Sequence, residues 1–231
     1  MGLCRTQGEK TEREPEDKGE YWRCTLIEVV TRLRVGRGIG QTETEAAIEL
    51  WHGVKQRSGC DRPPPLLSDG WGGHREAIVE VFGKVPHYQG QGRPPEKKRP
   101  QEGWQYAQMV KQRENGRVVA VKFRPIYGDG DELSTHTVYV ERTNLTSRHM
   151  NGRLVRKTLG FSKRVEMLRA ACVWEDMVYN WGRSVKTLRV EVNDGTRRWQ
   201  PRSPAMVAGL TDHIWSIEEI LTLVPEPINS S

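Results

Sequence analysis

Long apolar runs and paired cysteines are lacking in this 231-residue sequence. No apolar run approaches the roughly 20 residues needed to span a bilayer. Residues 1–17 are almost entirely polar, so no signal peptide is expected and a cytoplasmic location is predicted. No CxxC pair occurs, which leaves a zinc knuckle without support. We interpret the four cysteines as reduced, mostly structural thiols: Cys4, Cys24, Cys60 and Cys172.

The positive charge of the chain is unevenly distributed. The whole sequence carries a formal net charge of +6, whereas residues 142–189 contain eleven Lys and Arg against three acids, a net charge of +8. The rest of the chain is therefore slightly acidic. A concentrated basic segment predicts a polyanionic partner, and a solvated helix face is the plainer alternative.

Local patterns in the first half predict alternating strands and helices. Apolar and β-branched residues over 21–39 predict a β-hairpin. A capping box beginning at Thr42, followed by helical spacing up to Gly59, predicts an amphipathic helix. The run PLLSDG predicts a short buried strand that ends at Asp69, and HREAIVEVF predicts a short helix that ends at Gly83.

The second half begins with a proline-rich stretch over 84–103, which predicts a long loop. Asn115-Gly116 is typical of a hairpin turn, and from about Ser134 the pattern becomes helical. One apolar stripe at helical spacing is predicted to lie in the core: Met167, Ala171, Trp174, Val178 and Trp181.

The order of these elements predicts an α/β layer fold. We expect three segments along the chain: a charged N-terminal loop over 1–20, a core over 21–189 with an inserted loop at 84–103, and a C-terminal tail over 190–231 with a short helix.

Two acids stand where chemistry could use them. Asp69 ends a strand before Gly70, and ligand sites in open α/β sheets gather at such carboxyl ends. Glu141 begins the basic helical region, and Arg148, two turns later, shares its helix face. A metal held by Asp69 and Glu141 would face phosphate, with Arg148 beside it. The alternatives are an ordinary Asp-Gly turn and a simple pair between Glu141 and an arginine.

Three runs of the sequence resemble a known family. VYVERTNLTSRHMNGRLVRKTLGFSK, YNWGRSVKTLR and SPAMVAGLTDHIWSIEEIL are similar to bacterial insertion-sequence DDE transposases of the first-described class. In that family a Tyr-Val-Glu-Arg-x-Asn motif carries the catalytic glutamate, and a Thr- or Ser-Asp-Gly motif carries the second aspartate. Here these motifs lie at 139–144 and 68–70. The resemblance covers residues 19–224 and is loosest across 84–103.

The resemblance implies a ribonuclease-H-like mixed sheet flanked by helices, with long C-terminal helices. It also implies DNA cleavage and strand transfer of an insertion sequence by two-metal phosphoryl transfer. Mg²⁺ or Mn²⁺ would be the cofactor, and double-stranded DNA, both transposon ends and target, would be the partner. Asp69 and Glu141 would be the catalytic metal ligands. Six residues in or after the basic helix are the candidate DNA contacts: Arg142, Asn144, Arg148, Arg153, Arg156 and Lys157.

The chain departs from the family at its beginning. The family's first aspartate lies in an Asp-Glu-x-Trp-Ser-Phe type motif before a strand like the one at Gly19-Glu20-Tyr21-Trp22, and that motif is not present here. We therefore expect a truncated copy that lacks its first strand and has impaired or no activity. The alternatives are an inactive DNA-binding remnant, an inhibitor of the full-length transposase, and a true start that lies upstream.

Several further expectations follow. His74 is interpreted as a surface histidine at a helix start rather than as a metal ligand. Family members commonly act as multimers, so a homo-oligomer is one expectation, although no segment of the sequence displays an interface. A nucleoid-associated chain with no membrane and no small-molecule substrate is expected. The run over 144–223 disfavours a host ribonuclease-H-like nuclease.

Overall fold

The computed structural model describes residues 2–6, 21–88, 90, 92–129, 138–155, 159–192, 195 and 197–222. The described residues form two compact units, the first within Met1–Ile27 and Val35–Leu168, the second within Glu28–Arg34 and Arg169–Ser231. The boundary between the units lies between Leu168 and Arg169, whereas the predicted boundary followed residue 189. The second unit also includes the short segment Glu28–Arg34 from near the start of the chain.

The first sheet of the first unit has the order β1-β2-β3, with β1 at Gly2–Thr6, β2 at Tyr21–Ile27 and β3 at Arg34–Gly40. The predicted hairpin over 21–39 is confirmed. The predicted charged loop over 1–20 is wrong at Gly2–Thr6, because these residues form β1, which pairs antiparallel with β2 along its length. This pairing gives hydrogen-bond partners to backbone groups of β2 that would otherwise be left without them.

Helix α1 spans Glu43–Ser58 and has the predicted caps. The Thr42 hydroxyl accepts a hydrogen bond from the Glu45 backbone N–H at 3.1 Å, and Gly59 ends the helix in the left-handed region with φ of 62°. Small residues bring this helix close to β3, since a Cβ on Gly38 would lie 1.9 Å from the carbonyl oxygen of Ala46. The close approach fixes the helix against the sheet.

A second helix, α2, spans Gly73–Phe82 and packs against α1. Its buried face joins that of α1, and the rings of Trp51 and Phe82 meet edge to face with centroids 6.1 Å apart. Leu66 and Tyr106 belong to the same buried cluster. The core of the first unit is therefore one layer between these two helices and the strands.

The second sheet is mixed. Strand β4 at Leu66–Asp69 pairs in parallel with β5 at Tyr106–Glu114, and β5 pairs antiparallel with β6 at Arg117–Tyr127. The predicted turn is confirmed, with φ of 48° at Asn115 and 78° at Gly116. The chain is thus a mixed α/β protein with a mixed sheet flanked by helices.

The predicted loop before β5 has no helix or strand among its described residues, apart from an isolated bridge between Lys84 and Arg99. Helix α3 spans Val138–Met150 and packs against β1 and β2. On its buried side, an Arg23 Nη atom donates to the Ser147 hydroxyl at 3.4 Å. No helix in the described ranges is long and apolar enough to cross a membrane.

The remaining elements follow α3. Helix α4 spans Val165–Met177 and continues into a π-helical turn at Val178–Gly182. The short elements after it are β7 at Val190–Glu191, β8 at Trp199–Gln200, α5 at Pro204–Val207 and α6 at Ile217–Thr222. Strands β7 and β8 pair antiparallel within the segment predicted as a C-terminal tail.

The second unit is organised around the buried side chain of Arg34. Its guanidinium contacts Glu175 at 2.5 Å and Asp176 at 3.0 Å, and it stacks on the ring of Tyr179 at 3.9 Å. The backbone N–H of Arg34 donates to the Asn180 side chain, which donates back to the Arg34 carbonyl. The guanidinium compensates the charge of the two buried carboxylates.

The prediction for the apolar stripe of α4 is wrong at two of its positions. Met167 is 50% exposed and Trp174 is 40% exposed. The buried side of the helix instead carries Cys172 and Glu175, and Asp176 is buried beside them. The physical reason is the ion pair with Arg34, because the helix face that carries these carboxylates must face the guanidinium. Apolar periodicity does not contain this information.

Candidate functional site

Asp69 is the last residue of β4, as predicted, and its carboxylate is accessible. The side chain is 48% exposed, and one oxygen accepts a hydrogen bond from the Trp71 backbone N–H at 3.1 Å. This is the local turn that an aspartate at a strand end commonly makes. It fixes the orientation of the carboxylate and leaves the other oxygen free to take a further ligand.

Glu141 reaches the same face of the second sheet. Asp69 pairs with Met109 of β5, so the two side chains lie on the same face of the sheet. Side chains alternate between faces along a strand, so Lys111, two residues after Met109, also lies on this face. The Lys111 ammonium forms an ion pair with the Glu141 carboxylate at the start of α3. Asp69 and Glu141 therefore lie over one face of the sheet, beyond the carboxyl end of β4.

Lys111 is a site residue that the sequence reasoning missed. It is 36% exposed and Glu141 is 53% exposed, and an ion pair so accessible to water contributes on the order of 0–1 kcal/mol. A divalent cation can displace such a pair at small cost.

His74 is not a surface residue, contrary to the prediction. Its side chain is fully buried at the start of α2, against the edge of the Trp71 ring with centroids 4.7 Å apart. Burial lowers the pKa of His74 to about 3. Its Nε2 atom lies 3.9 Å from Asp69, and neither ring nitrogen has a hydrogen-bond partner within the part of the chain that the structure describes. The neutral ring therefore forms no ion pair with Asp69 at neutral pH.

A buried polar chain supports Asp69 from the other face of the sheet. The Gln108 amide donates to the Tyr106 hydroxyl at 2.8 Å, and Tyr106 lies 2.9 Å from the Ser68 hydroxyl. Because Ser68 gives its single proton to the Asp69 carbonyl at 2.8 Å, Tyr106 must be the donor to Ser68. Burial raises the pKa of Tyr106, so it stays a donor at neutral pH. Arg124 holds the far end by donating to Gln108.

The predicted DNA contacts fall into two groups. Arg142 and Arg148 are exposed on α3, Asn144 is half-buried between them, and Arg148 lies two turns after Glu141 on its face. Arg153 lies beyond the helix and donates to the Ser162 hydroxyl at 3.1 Å, so its guanidinium is partly committed. Arg156 and Lys157 lie outside the described residues.

A metal at this site would have oxygen ligands from Asp69 and Glu141, which is the donor type that Mg²⁺ and Mn²⁺ prefer. Both carboxylates are accessible and they share a sheet face, so the residues fit the ion in kind. Across the described residues, no group of three or more His, Cys, Asp or Glu side chains is placed to hold a metal ion. Water would have to complete the coordination that these two side chains begin.

Comparison of this chain with protein-family models, with curated proteins and with solved structures finds no match.

Proposed function

We propose that this chain is the catalytic region of a DNA transposase, acting on double-stranded DNA in the bacterial cytoplasm at the nucleoid. The observation that carries the proposal is the placement of Asp69 and Glu141 over one face of the sheet, beyond the carboxyl end of β4. The motifs around the two acids resemble those of insertion-sequence transposases. The mixed sheet of β4, β5 and β6 also supports the proposal, because the resemblance implies a mixed sheet flanked by helices.

In this proposal each side chain has a distinct task. Asp69 and Glu141 hold Mg²⁺ or Mn²⁺, which supplies the Lewis acidity that phosphoryl transfer needs. The exposed Arg142 and Arg148 lie next to Glu141 and would bind the phosphates on either side of the reacting one. The buried chain from Gln108 to Ser68 holds the end of β4, and with it Asp69, in place.

A second candidate function is DNA binding without chemistry, as a remnant or as an inhibitor of a complete transposase. It is favoured because, among the described residues, no group of three or more His, Cys, Asp or Glu side chains is placed to hold a metal ion. Two carboxylates also make a weaker metal site than the three that the resemblance implies.

A cleavage and strand-joining assay separates the two functions. The purified chain is incubated with labelled element-end DNA and Mg²⁺ or Mn²⁺, next to Asp69→Asn and Glu141→Gln. Glu76→Gln serves as the matched control, because Glu76 is an exposed acid on α2. Metal-dependent products that both site variants lose, and that the control keeps, support a transposase. DNA binding without products in any variant supports the second function, and neither binding nor products refutes both.

A further inference from the structure

The hairpin of β5 and β6 extends beyond the rest of its sheet. Strand β4 ends level with Met109, so residues 110–124 continue as a two-stranded segment, which we call the β-ribbon. Every residue of the β-ribbon is exposed or half-exposed. Its arm on β5 is five residues long, so it projects by about 16 Å at roughly 3.3 Å per residue.

The β-ribbon is strongly basic. It contains five basic side chains and one acid, a net charge of +4. Lys111 pairs with Glu141, Arg113 donates to the turn at Gly116, and Arg124 donates to Gln108. Arg117 and Lys122, in contrast, are exposed and have no side-chain partner among the residues that the structure describes. Two cations on the ribbon are therefore available for an external anion.

Exposed apolar side chains also lie on β6, close to these cations in the chain. Four of them are between 41% and 53% exposed: Val118, Val119, Val121 and Phe123. By their register with β5, Val118, Val121 and Phe123 lie on the same face of the ribbon as Lys111. Exposed apolar side chains grouped on one face mark an interaction surface. Pairing with a second copy of the ribbon would bring two segments of charge +4 together, and like charges across strands are destabilising. The charge instead complements a polyanion.

We propose that the β-ribbon inserts into the major groove of double-stranded DNA, with Arg117 and Lys122 on the phosphates of its walls. A two-stranded ribbon fits a groove about 12 Å wide, and apolar side chains can contact thymine methyl groups there. The proposal rests on the proposed function for its choice of DNA. Lys111 at the base of the ribbon contacts Glu141. A duplex bound along the ribbon would therefore lie close to the two carboxylates.

The test is the salt dependence of duplex binding by the chain and by Arg117→Ala/Lys122→Ala. Each phosphate contact contributes about 0.9 to the magnitude of the slope of log binding constant against log salt concentration. The variant lacks two contacts, so the magnitude of its slope should be smaller by about 1.8. A fourfold rise in salt should then weaken the unmodified chain about 12-fold more than the variant. Lys84→Ala/Lys97→Ala, at two exposed lysines of the loop before β5, is the matched control and should keep the full slope.

A second experiment tests the groove. A duplex with glucosylated cytosines, which block the major groove, should bind the unmodified chain more weakly than plain DNA.

The outcomes separate this proposal from the function on which it rests. A slope lost only in the ribbon variant supports the ribbon, even when no metal gives cleavage and the transposase proposal fails. DNA binding or cleavage with an unchanged slope overturns the ribbon and leaves the function standing. Equal binding to the glucosylated duplex overturns the major-groove placement, and no duplex binding at all overturns both proposals.

Discussion

Acid should destabilise the first unit through His74. The ring is buried and neutral, and its pKa in the fold is about 3, against about 6.5 in an unfolded chain. Below pH 6.5 the unfolded chain therefore binds a proton that the folded chain does not. The stability contributed by the neutral ring is complete above pH 6.5 and is lost as the pH falls toward 3. At about 1.36 kcal/mol per pH unit, pH 5 costs about 2 kcal/mol relative to pH 7.

The measurement is the free energy of unfolding in urea at pH 7 and pH 5, for the unmodified chain and for His74→Leu. The leucine variant should lose about 2 kcal/mol less than the unmodified chain between the two pH values. His52→Leu is the control, because it makes the same substitution at a histidine on the exposed side of α1. Equal losses in the unmodified chain and His74→Leu would refute the argument from burial.

Two further predictions concern α1. Thr42→Ala should lower the free energy of unfolding by about 1 kcal/mol, because the hydrogen bond that caps the helix at Glu45 is lost. Thr42→Ser should keep most of this stability, because serine retains the hydroxyl. An alanine variant as stable as the serine variant would contradict the assigned cap. Gly38→Ala should cost about 3 kcal/mol or more, because its Cβ would meet the Ala46 carbonyl oxygen at 1.9 Å. Gly36→Ala, whose Cβ would meet the movable Val54 side chain at 3.1 Å, should cost clearly less, and equal urea midpoints for the two would count against the close approach.

Features with local causes could be predicted from the sequence. The caps of α1 at Thr42 and Gly59 depend on residues within four positions of the helix ends. The turn at Asn115-Gly116 depends on two residues that tolerate positive φ. The end of β4 at Asp69 follows from an apolar run that stops at a glycine. In each case the chemistry that fixes the structure is adjacent in the chain.

Features that depend on tertiary pairing could not be predicted. The ion pair of Lys111 with Glu141 requires the register of β5 against β4, which no local pattern gives. The burial of His74 depends on how α2 packs, since one polar ring at a helix start fits a surface as well as a core. Strand β1 is only five residues long, and its pairing with β2 crosses a charged segment. The sequence therefore predicts the two acids of the candidate site, but not the residues that surround them, Lys111 and the buried His74.

The contacts of Arg34 have a consequence for the synthesis of the chain. Arg34 and Glu175 are 141 positions apart, and a ribosome that adds roughly 5–20 residues per second needs about 7–28 s to cover that distance. During this interval the residues of the first unit emerge in succession, whereas the second unit has its cation but neither of its anions. A nascent chain can therefore form these contacts only after Glu175 and Asp176 have been synthesised. A fragment that begins at residue 169 would contain both carboxylates without the Arg34 guanidinium.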